Sequence, residues 1–299
     1  MVVTPDDLRV LLESWLLHLR AERKSPQTLK SYGDGVRRFL AWCEQNDTPP
    51  VLDRPTVNAF VADLLESGAE AATARARQLS LRRLSAWLAE EGEIPGDELV
   101  ALKPPRLDAK VVDPLTTDQL QALLAACTGK EFRERRDEAI IRLMLESGAR
   151  ASEVVEMTLS GVDLRAGSAL ITRGKGGKGR RVPFSAQAGR ALDRYVRLRR
   201  SHRLAGTDTL WLGERGKGFT YQGLYRALQY RAGLAGISGF HPHRLRHTAA
   251  SRWLAAGGSE GGLMAVAGWS RRDMIDRYTR ATASDRAAEE ARSLNLGDL

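Results

Sequence analysis

The sequence predicts a mainly α protein in two domains: an N-terminal helical bundle, then a mostly helical α+β domain with a small antiparallel sheet. Three observations carry this expectation. Apolar residues recur at helical spacing through residues 1–102, with no alternating stretch. A proline-punctuated segment, "LKPPRLDAKVVDPLT" (102–116), then interrupts the period. Beyond it, "SALITR" (168–173) and "RRVPF" (180–184) read as two strands around a glycine-rich tip. With 299 residues the chain has room for two domains of roughly 150 residues each. The expected division is 1–102, a linker over 103–114, and 115–299.

Each element has its own signal. Thr4-Pro5 supplies a cap and a proline at the first helical position, and Leu8, Leu11, Leu12, Trp15, Leu16 and Leu19 mark one face behind it. Ser25-Pro26 repeats the start signal ahead of Leu29, Tyr32, Val36, Phe39, Leu40 and Cys43. Two more helices are expected near 55–66 and 71–91, completing a four-helix bundle. After the linker, "LTTDQL" reads as a capping box: Thr116 caps, Gln119 sits at the third helical position, and Leu115 staples against Leu120. The second domain is then helical apart from the hairpin. No fixed-period repeat and no low-complexity tail is present.

Composition narrows the function classes. The formal charge is +9, and residues 165–200 hold eleven Lys or Arg against one acid, Asp193. A basic stretch flanking a flexible hairpin points to a polyanionic partner such as nucleic acid. The two cysteines, Cys43 and Cys127, lie in apolar helical patterns without CxxC spacing, so neither a disulfide framework nor a zinc ribbon is supported. No signal peptide and no 18-residue apolar run is visible, so a cytoplasmic protein is expected, neither exported nor membrane-spanning.

Four stretches carry candidate chemistry. "HPHRLRHTAASRWL" (241–254) holds three of the five histidines. His241, His243 and His247 could in principle ligate zinc, but Arg244 and Arg246 are interleaved and would repel a dication. Histidine and arginine N–H donors together suit an anion, and a helix starting near His243 would add its free amides. "GKGGKG" matches GxGxxG at Gly174, Gly176 and Gly179, yet a strand follows where a dinucleotide site needs a helix. Its glycines read better as turn formers that bring Lys175 and Lys178 close to a backbone. "LESGARASEVVEM" (145–157) ends one helix at Gly148 and starts another, holding Arg150 between them as either a carbonyl cap or an anion clamp oriented by Glu153. In "AGWSRRDMIDRYTR" (267–280), Ser270 and Asp273 form a second capping box before a short helix bearing Tyr278. Taken singly, Tyr278 and Trp269 could be packing residues.

Together these pieces resemble the tyrosine recombinase family: phage and integrative-element integrases, Xer-type recombinases and Cre. "SGARASE" resembles the family's TGLRxSE and places its arginine at Arg150, with Glu153 as the accompanying acid. The hairpin lysine maps to Lys175, with Lys178 as competitor, and the H-x-x-R box maps to His243 and Arg246. Trp269 stands after "AG" where a histidine is commoner, and Tyr278 follows nine residues later. The first domain is similar to the family's core-DNA-binding domain.

The resemblance implies site-specific recombination of double-stranded DNA without metal or cofactor. Arg150 and Arg246 would clamp the non-bridging phosphate oxygens, while His243 and Trp269 would add hydrogen bonds. Tyr278 would attack to give a 3′-phosphotyrosyl link, with Lys175 protonating the leaving 5′-oxygen; strand exchange would pass through a Holliday junction. His247 belongs to the supporting shell. Both domains would close on the duplex, with contacts from Lys24, Thr28, Lys30, Arg75, Arg77 and Arg82 in the first, and Lys178, Arg180 and Arg181 in the second. The tail, "SDRAAEEARSLNLGDL" (284–299), would exchange between protomers in a DNA-bound homotetramer of a chain monomeric in solution; accessory proteins are compatible with this layout. A type IB topoisomerase and a catalytically silent DNA-binding regulator are the alternatives. The short hairpin and two-domain layout weigh against the first, and retention of the catalytic positions against the second.

Overall fold

Helices begin where the sequence supplies caps and prolines. In the computed structural model, residues 5–107, 113–172, 179–214, 216–272 and 274–275 are described. The chain divides into two compact units, Met1–Lys110 and Val111–Leu299, each with its own apolar core.

The first unit holds α1 (Pro5–Ala21), α2 (Pro26–Gln45), α3 (Arg54–Glu66) and α4 (Ala71–Glu90). Ser25 Oγ accepts from the Thr28 amide at 3.1 Å, and Asp53 Oδ1 accepts from the Thr56 amide at 2.8 Å, each satisfying a donor the helix start leaves open. The expected faces of α1 and α2 turn inward: Leu8, Leu12, Trp15, Leu16 and Leu19 are buried with Val36, Phe39, Leu40 and Cys43. Phe39 meets Phe60 of α3 edge-on at 5.4 Å, and Leu81, Leu84 and Leu88 of α4 close the core. Leu99 and Leu102 join it after α4, and Gln78 donates to the Lys103 carbonyl at 3.2 Å. The Thr4 cap and residues 108–112 of the expected linker lie outside the described residues.

The second unit is built around α6 (Phe132–Ser147). α5 (Thr117–Ala125) precedes it, capped by Thr116 and Gln119 in the reciprocal arrangement that the sequence pattern anticipates. After α6 come α7 (Ala151–Val155), β1 (Val162–Asp163), β2 (Ser168–Ile171), β3 (Arg180–Pro183), α8 (Ala186–Arg199), α9 (Tyr221–Leu234), α10 (Pro242–Ala255) and α11 (Glu260–Ala267). The sheet is antiparallel in the order β1-β2-β3, with Ala169 opposite Val182 and Ile171 opposite Arg180. β1 was not expected, because two residues carry no period. α6 buries Ala139, Ile140, Ile141, Leu143 and Met144, since α8, α9 and α10 all pack on it. The charged residues Arg136, Asp137 and Glu138 are buried too. Asp137 accepts from Arg136 at 2.8 and 2.9 Å and from Arg231 of α9 at 2.9 Å.

Both cysteines are free and buried, and burial first of all pushes their thiols up to about 11 for Cys43 and about 12 for Cys127. Among the described residues, no helix is long and apolar enough to cross a membrane.

Candidate active site

Arg150 sits where one helix stops and the next begins. α6 ends at Gly148, whose φ of 58° lies in the left-handed region that lacks the usual Cβ penalty only for glycine. Two residues later Arg150 caps α7. Its amide donates to Glu153 Oε2 at 2.8 Å, and its guanidinium Nη1 donates to Oε1 at 2.8 Å. Arg150 thus opens α7 in a reciprocal pair with Glu153, which holds it by backbone and side chain at once.

Glu153 is 4% exposed and carries a second guanidinium. Arg180 of β3 donates Nη1 to Oε1 at 3.1 Å and Nη2 to Oε2 at 2.8 Å, while its Nε donates to the Val266 carbonyl of α11 at 2.8 Å. Burial opposes ionisation of Glu153. The hydrogen bonds from Arg180 and from the Arg150 amide, with the Arg180 charge, outweigh it, so the carboxyl titrates below its ordinary value.

α10 delivers the other cations. Proline opens the helix at 242, with His241 at the cap. Arg246 is 2% exposed and donates Nη1 to the Gly148 carbonyl at 2.5 Å, tying α10 to the turn that positions Arg150. Its Cζ lies 5.1 Å from the Trp269 ring centroid, within cation–π range. Trp269 follows Gly268, which ends α11 at a φ of 65°. His243 is exposed on the first turn of α10. His247, buried one turn later, meets it edge-on at 4.5 Å. Burial, and then Arg244, hold His241 below the usual histidine range. Among the described residues, no group of three His, Cys, Asp or Glu side chains is placed to hold a metal ion.

Arg150, Glu153, Arg246 and Trp269 are therefore linked through the turn at Gly148 and the end of α11, and the His243–His247 pair lies on the helix that carries Arg246. Lys175, Lys178, Tyr278, Asp273 of the second capping box and the tail 284–299 lie outside the described residues.

The expected DNA contacts divide in two. Lys24, Lys30, Arg75 and Arg181 are exposed, Lys24 lying 3.4 Å from Glu22 and Arg181 donating to Ser168 Oγ at 3.1 Å. Thr28 hydrogen-bonds its own helix cap, Ser25. Arg77 reaches the Ser31 carbonyl at 3.5 Å, and Arg82 donates to the carbonyls of Leu99 and Val100 at 3.2 and 3.1 Å. Arg180 differs most from expectation, since its guanidinium is held by Glu153 and Val266 instead of facing outward. The signal was available in the alternation along β3, where Val182 is buried and Arg181 and Pro183 are exposed; position 180 shares the inner face with 182.

Comparison with known proteins supplies the class. Residues 114–285 match the phage integrase family, and residues 12–92 match the phage integrase N-terminal SAM-like domain. The chain belongs to the phage integrase family and is a tyrosine-type site-specific recombinase. More particularly, it is similar to the tyrosine recombinase XerC of Pseudomonas aeruginosa, 34% identical over 259 residues that span 84% of this chain and 83% of that protein. XerC of Azotobacter vinelandii is 35% identical over 251 residues, 81% of this chain and 82% of that one. Among solved structures, a lambda integrase dimer bound to a COC′ core site shares the fold with a TM-score of 0.70 at 18% identity, over 91% of this chain and 76% of that chain. XerH bound to its difH substrate does so with a TM-score of 0.68 at 18% identity, over 90% and 80%.

Proposed function

We propose that this recombinase cleaves and rejoins both partners of a specific double-stranded DNA site through Tyr278, using Arg150, Lys175, His243, Arg246 and Trp269 as its catalytic set. The arrangement around Glu153 and Gly148 carries the reading. It gathers Arg150, Arg246 and Trp269, scattered over more than a hundred residues of sequence, onto one cationic locus. Arg150 has a side chain 29% exposed and only one guanidinium nitrogen engaged by Glu153, leaving donors for a phosphate. Arg246 lies deeper and adds fixed positive charge behind it.

The chemistry needs no external energy. The Tyr278 phenol, with an ordinary pKa near 10, gives up its proton, with His243 as acceptor and the surrounding cations lowering the cost. Its oxygen attacks phosphorus. Charge accumulating on the non-bridging oxygens is met by Arg150 and Arg246, and the 5′-oxygen leaves with a proton from Lys175. The 3′-phosphotyrosyl link conserves the bond energy until a 5′-hydroxyl of the partner duplex attacks it and releases tyrosine. Repeating the exchange on the second strands resolves a Holliday junction.

Lys24, Lys30, Arg75 and Arg181 serve as exposed phosphate contacts, which position the duplex without reading its sequence. A homotetramer joined by exchange of the 284–299 tail completes the synapse; the solved lambda integrase tetramer bound to a Holliday junction supports the tetramer. The test is covalent trapping. A duplex recovered from random-sequence DNA by binding to the wild-type chain is nicked just 3′ of the cleavage point, so that the short fragment bearing the freed 5′-hydroxyl diffuses away. Wild type should accumulate a protein–DNA adduct and Tyr278→Phe none; an adduct in both, or in neither, overturns the reading.

A further inference from the structure

We infer that Arg180 is a positioning residue for strand cleavage: it takes up the charge of Glu153 so that Arg150 remains available to the scissile phosphate. The inference deepens the proposed recombinase reading and rests on it.

Glu153 has two carboxylate oxygens, and Arg180 binds both through its two terminal nitrogens. Arg150 also reaches both, but one of its two contacts is made by the backbone amide. The two guanidinium groups are therefore unequal partners. Arg180 forms the forked pair that is the strongest arrangement open to arginine and carboxylate. Arg150 is attached at a single guanidinium nitrogen and keeps the rest of its fork. Their exposures follow, with the Arg180 side chain 13% exposed and that of Arg150 29%.

Without Arg180, a carboxylate 4% exposed would have one cation within reach. Arg150 would then close its own fork on Glu153, because a buried charge without a full partner is costly. The anion clamp would be spent inside the protein.

A second consequence comes from the third donor of Arg180. Its Nε bond to the Val266 carbonyl fastens β3 to the end of α11, just before Gly268 and Trp269. The fit there is tight, since a Cβ on Gly268 would lie 2.8 Å from the Arg180 Cζ. One guanidinium thus joins the segment carrying Arg150, the segment carrying Trp269, and the strand that begins five residues after Lys175.

The test uses the nicked duplex and full-length chain described above, measuring the adduct-forming rate at saturating DNA and, separately, Kd for the unnicked site. Arg180→Gln should slow adduct formation about 30-fold, within the range over which members of one network couple, while Kd changes less than about threefold. Arg180→Lys keeps the charge without the fork and should fall between; it also carries the test should Arg180→Gln fail to fold. The deciding variant is Glu153→Gln combined with Arg180→Gln. Removing the carboxylate charge frees Arg150 again, so the double variant should cleave faster than Arg180→Gln alone.

A double variant no faster than Arg180→Gln overturns the proposal. So does weakened binding with an unchanged rate at saturation, which would make Arg180 a DNA contact. A wild-type chain that forms no adduct defeats the recombinase reading itself and this inference with it; an active wild type with insensitive variants defeats only the inference.

Discussion

Gly268→Ala tests the tightest joint in the site. The substitution acts twice. Its φ of 65° puts alanine in the left-handed region, at a cost of about 1–2 kcal/mol. The new Cβ would also meet Arg180 at 2.8 Å from Cζ and Nη1 and 3.0 Å from Nε. That guanidinium is held by three hydrogen bonds, so it cannot swing aside as a free surface arginine would. Giving up one charge-assisted bond adds roughly 1.5–3 kcal/mol. Gly148→Ala supplies the internal control. Its φ is 58°, but its Cβ would meet only the methyl carbons of Ala249 and Ala267, both at ordinary contact, 3.7 Å. Strain alone, about 1–2 kcal/mol, is expected there. For a domain of this size each kcal/mol shifts the melting point by roughly 2–4 °C, so Gly268→Ala should melt several degrees below Gly148→Ala. Calorimetry that resolves the second unit measures the difference, and the adduct assay should show Gly268→Ala slowed in the same direction as Arg180→Gln. Equal melting of the two variants would refute the reasoning, because it would mean that Arg180 yields its position at no cost.

Other perturbations test other parts of the structure. Asp137→Asn leaves the buried guanidinium groups of Arg136 and Arg231 without their shared charge and should cost about 3–5 kcal/mol, whereas Asp193→Asn, whose side chain is 48% exposed against Arg197, should leave the melting curve unmoved. Tyr195→Phe removes a hydroxyl that donates to the Leu210 carbonyl at 3.0 Å and accepts from the Leu212 amide at 2.9 Å; stability should fall by about 1–3 kcal/mol in a urea titration, with the adduct-forming rate unchanged. Acid should uncouple the Glu153 cluster. Its carboxyl titrates below the usual glutamate range when folded, so the stabilisation is fully present above that range and is lost as pH falls through the depressed value; melting of wild type should drop more steeply in acid than that of Glu153→Gln. Deletion of 284–299 should abolish synapsis of two duplexes in a gel-shift assay while a single duplex remains bound.

What the sequence made legible was local. Helix starts at Ser25 and Thr116 are written in short-range hydrogen bonds between residues three apart, and the faces of α1 and α2 in a period that one core enforces. The Arg150–Glu153 pair was readable for the same reason, since three residues separate them at a helix start. Arg180 was not readable from charge, because a basic hairpin near an arginine-rich helix looks solvated; its partners lie 27 and 86 residues away in sequence. Arg82 was missed alike, as its carbonyl partners sit in a segment with no period at all. β1 was too short to announce itself.

A pocket for a phosphodiester faces conflicting demands before the DNA arrives. It must hold guanidinium groups close together, yet each repels the others and none has its substrate to neutralise it. A buried acid relieves the repulsion, but an acid that pairs fully with an arginine required by the phosphate would compete with that phosphate. Dividing one carboxylate between an inner arginine and an outer one answers both. Arg180, enclosed and forked, satisfies most of Glu153, and Arg150 is oriented by what remains. The backbone helps to place Arg246, whose guanidinium donates to the Gly148 carbonyl. Two guanidinium groups on one carboxylate leave an excess of positive charge, and that excess is what the developing charge on an attacked phosphate would require. It follows that adding a second acid beside the site, as in Ser152→Asp at an exposed position of α7, should slow cleavage more than removing the existing one does, because the new carboxylate would have no inner arginine to occupy it. If Ser152→Asp cleaves faster than Glu153→Gln, charge excess is not what the site is built to preserve.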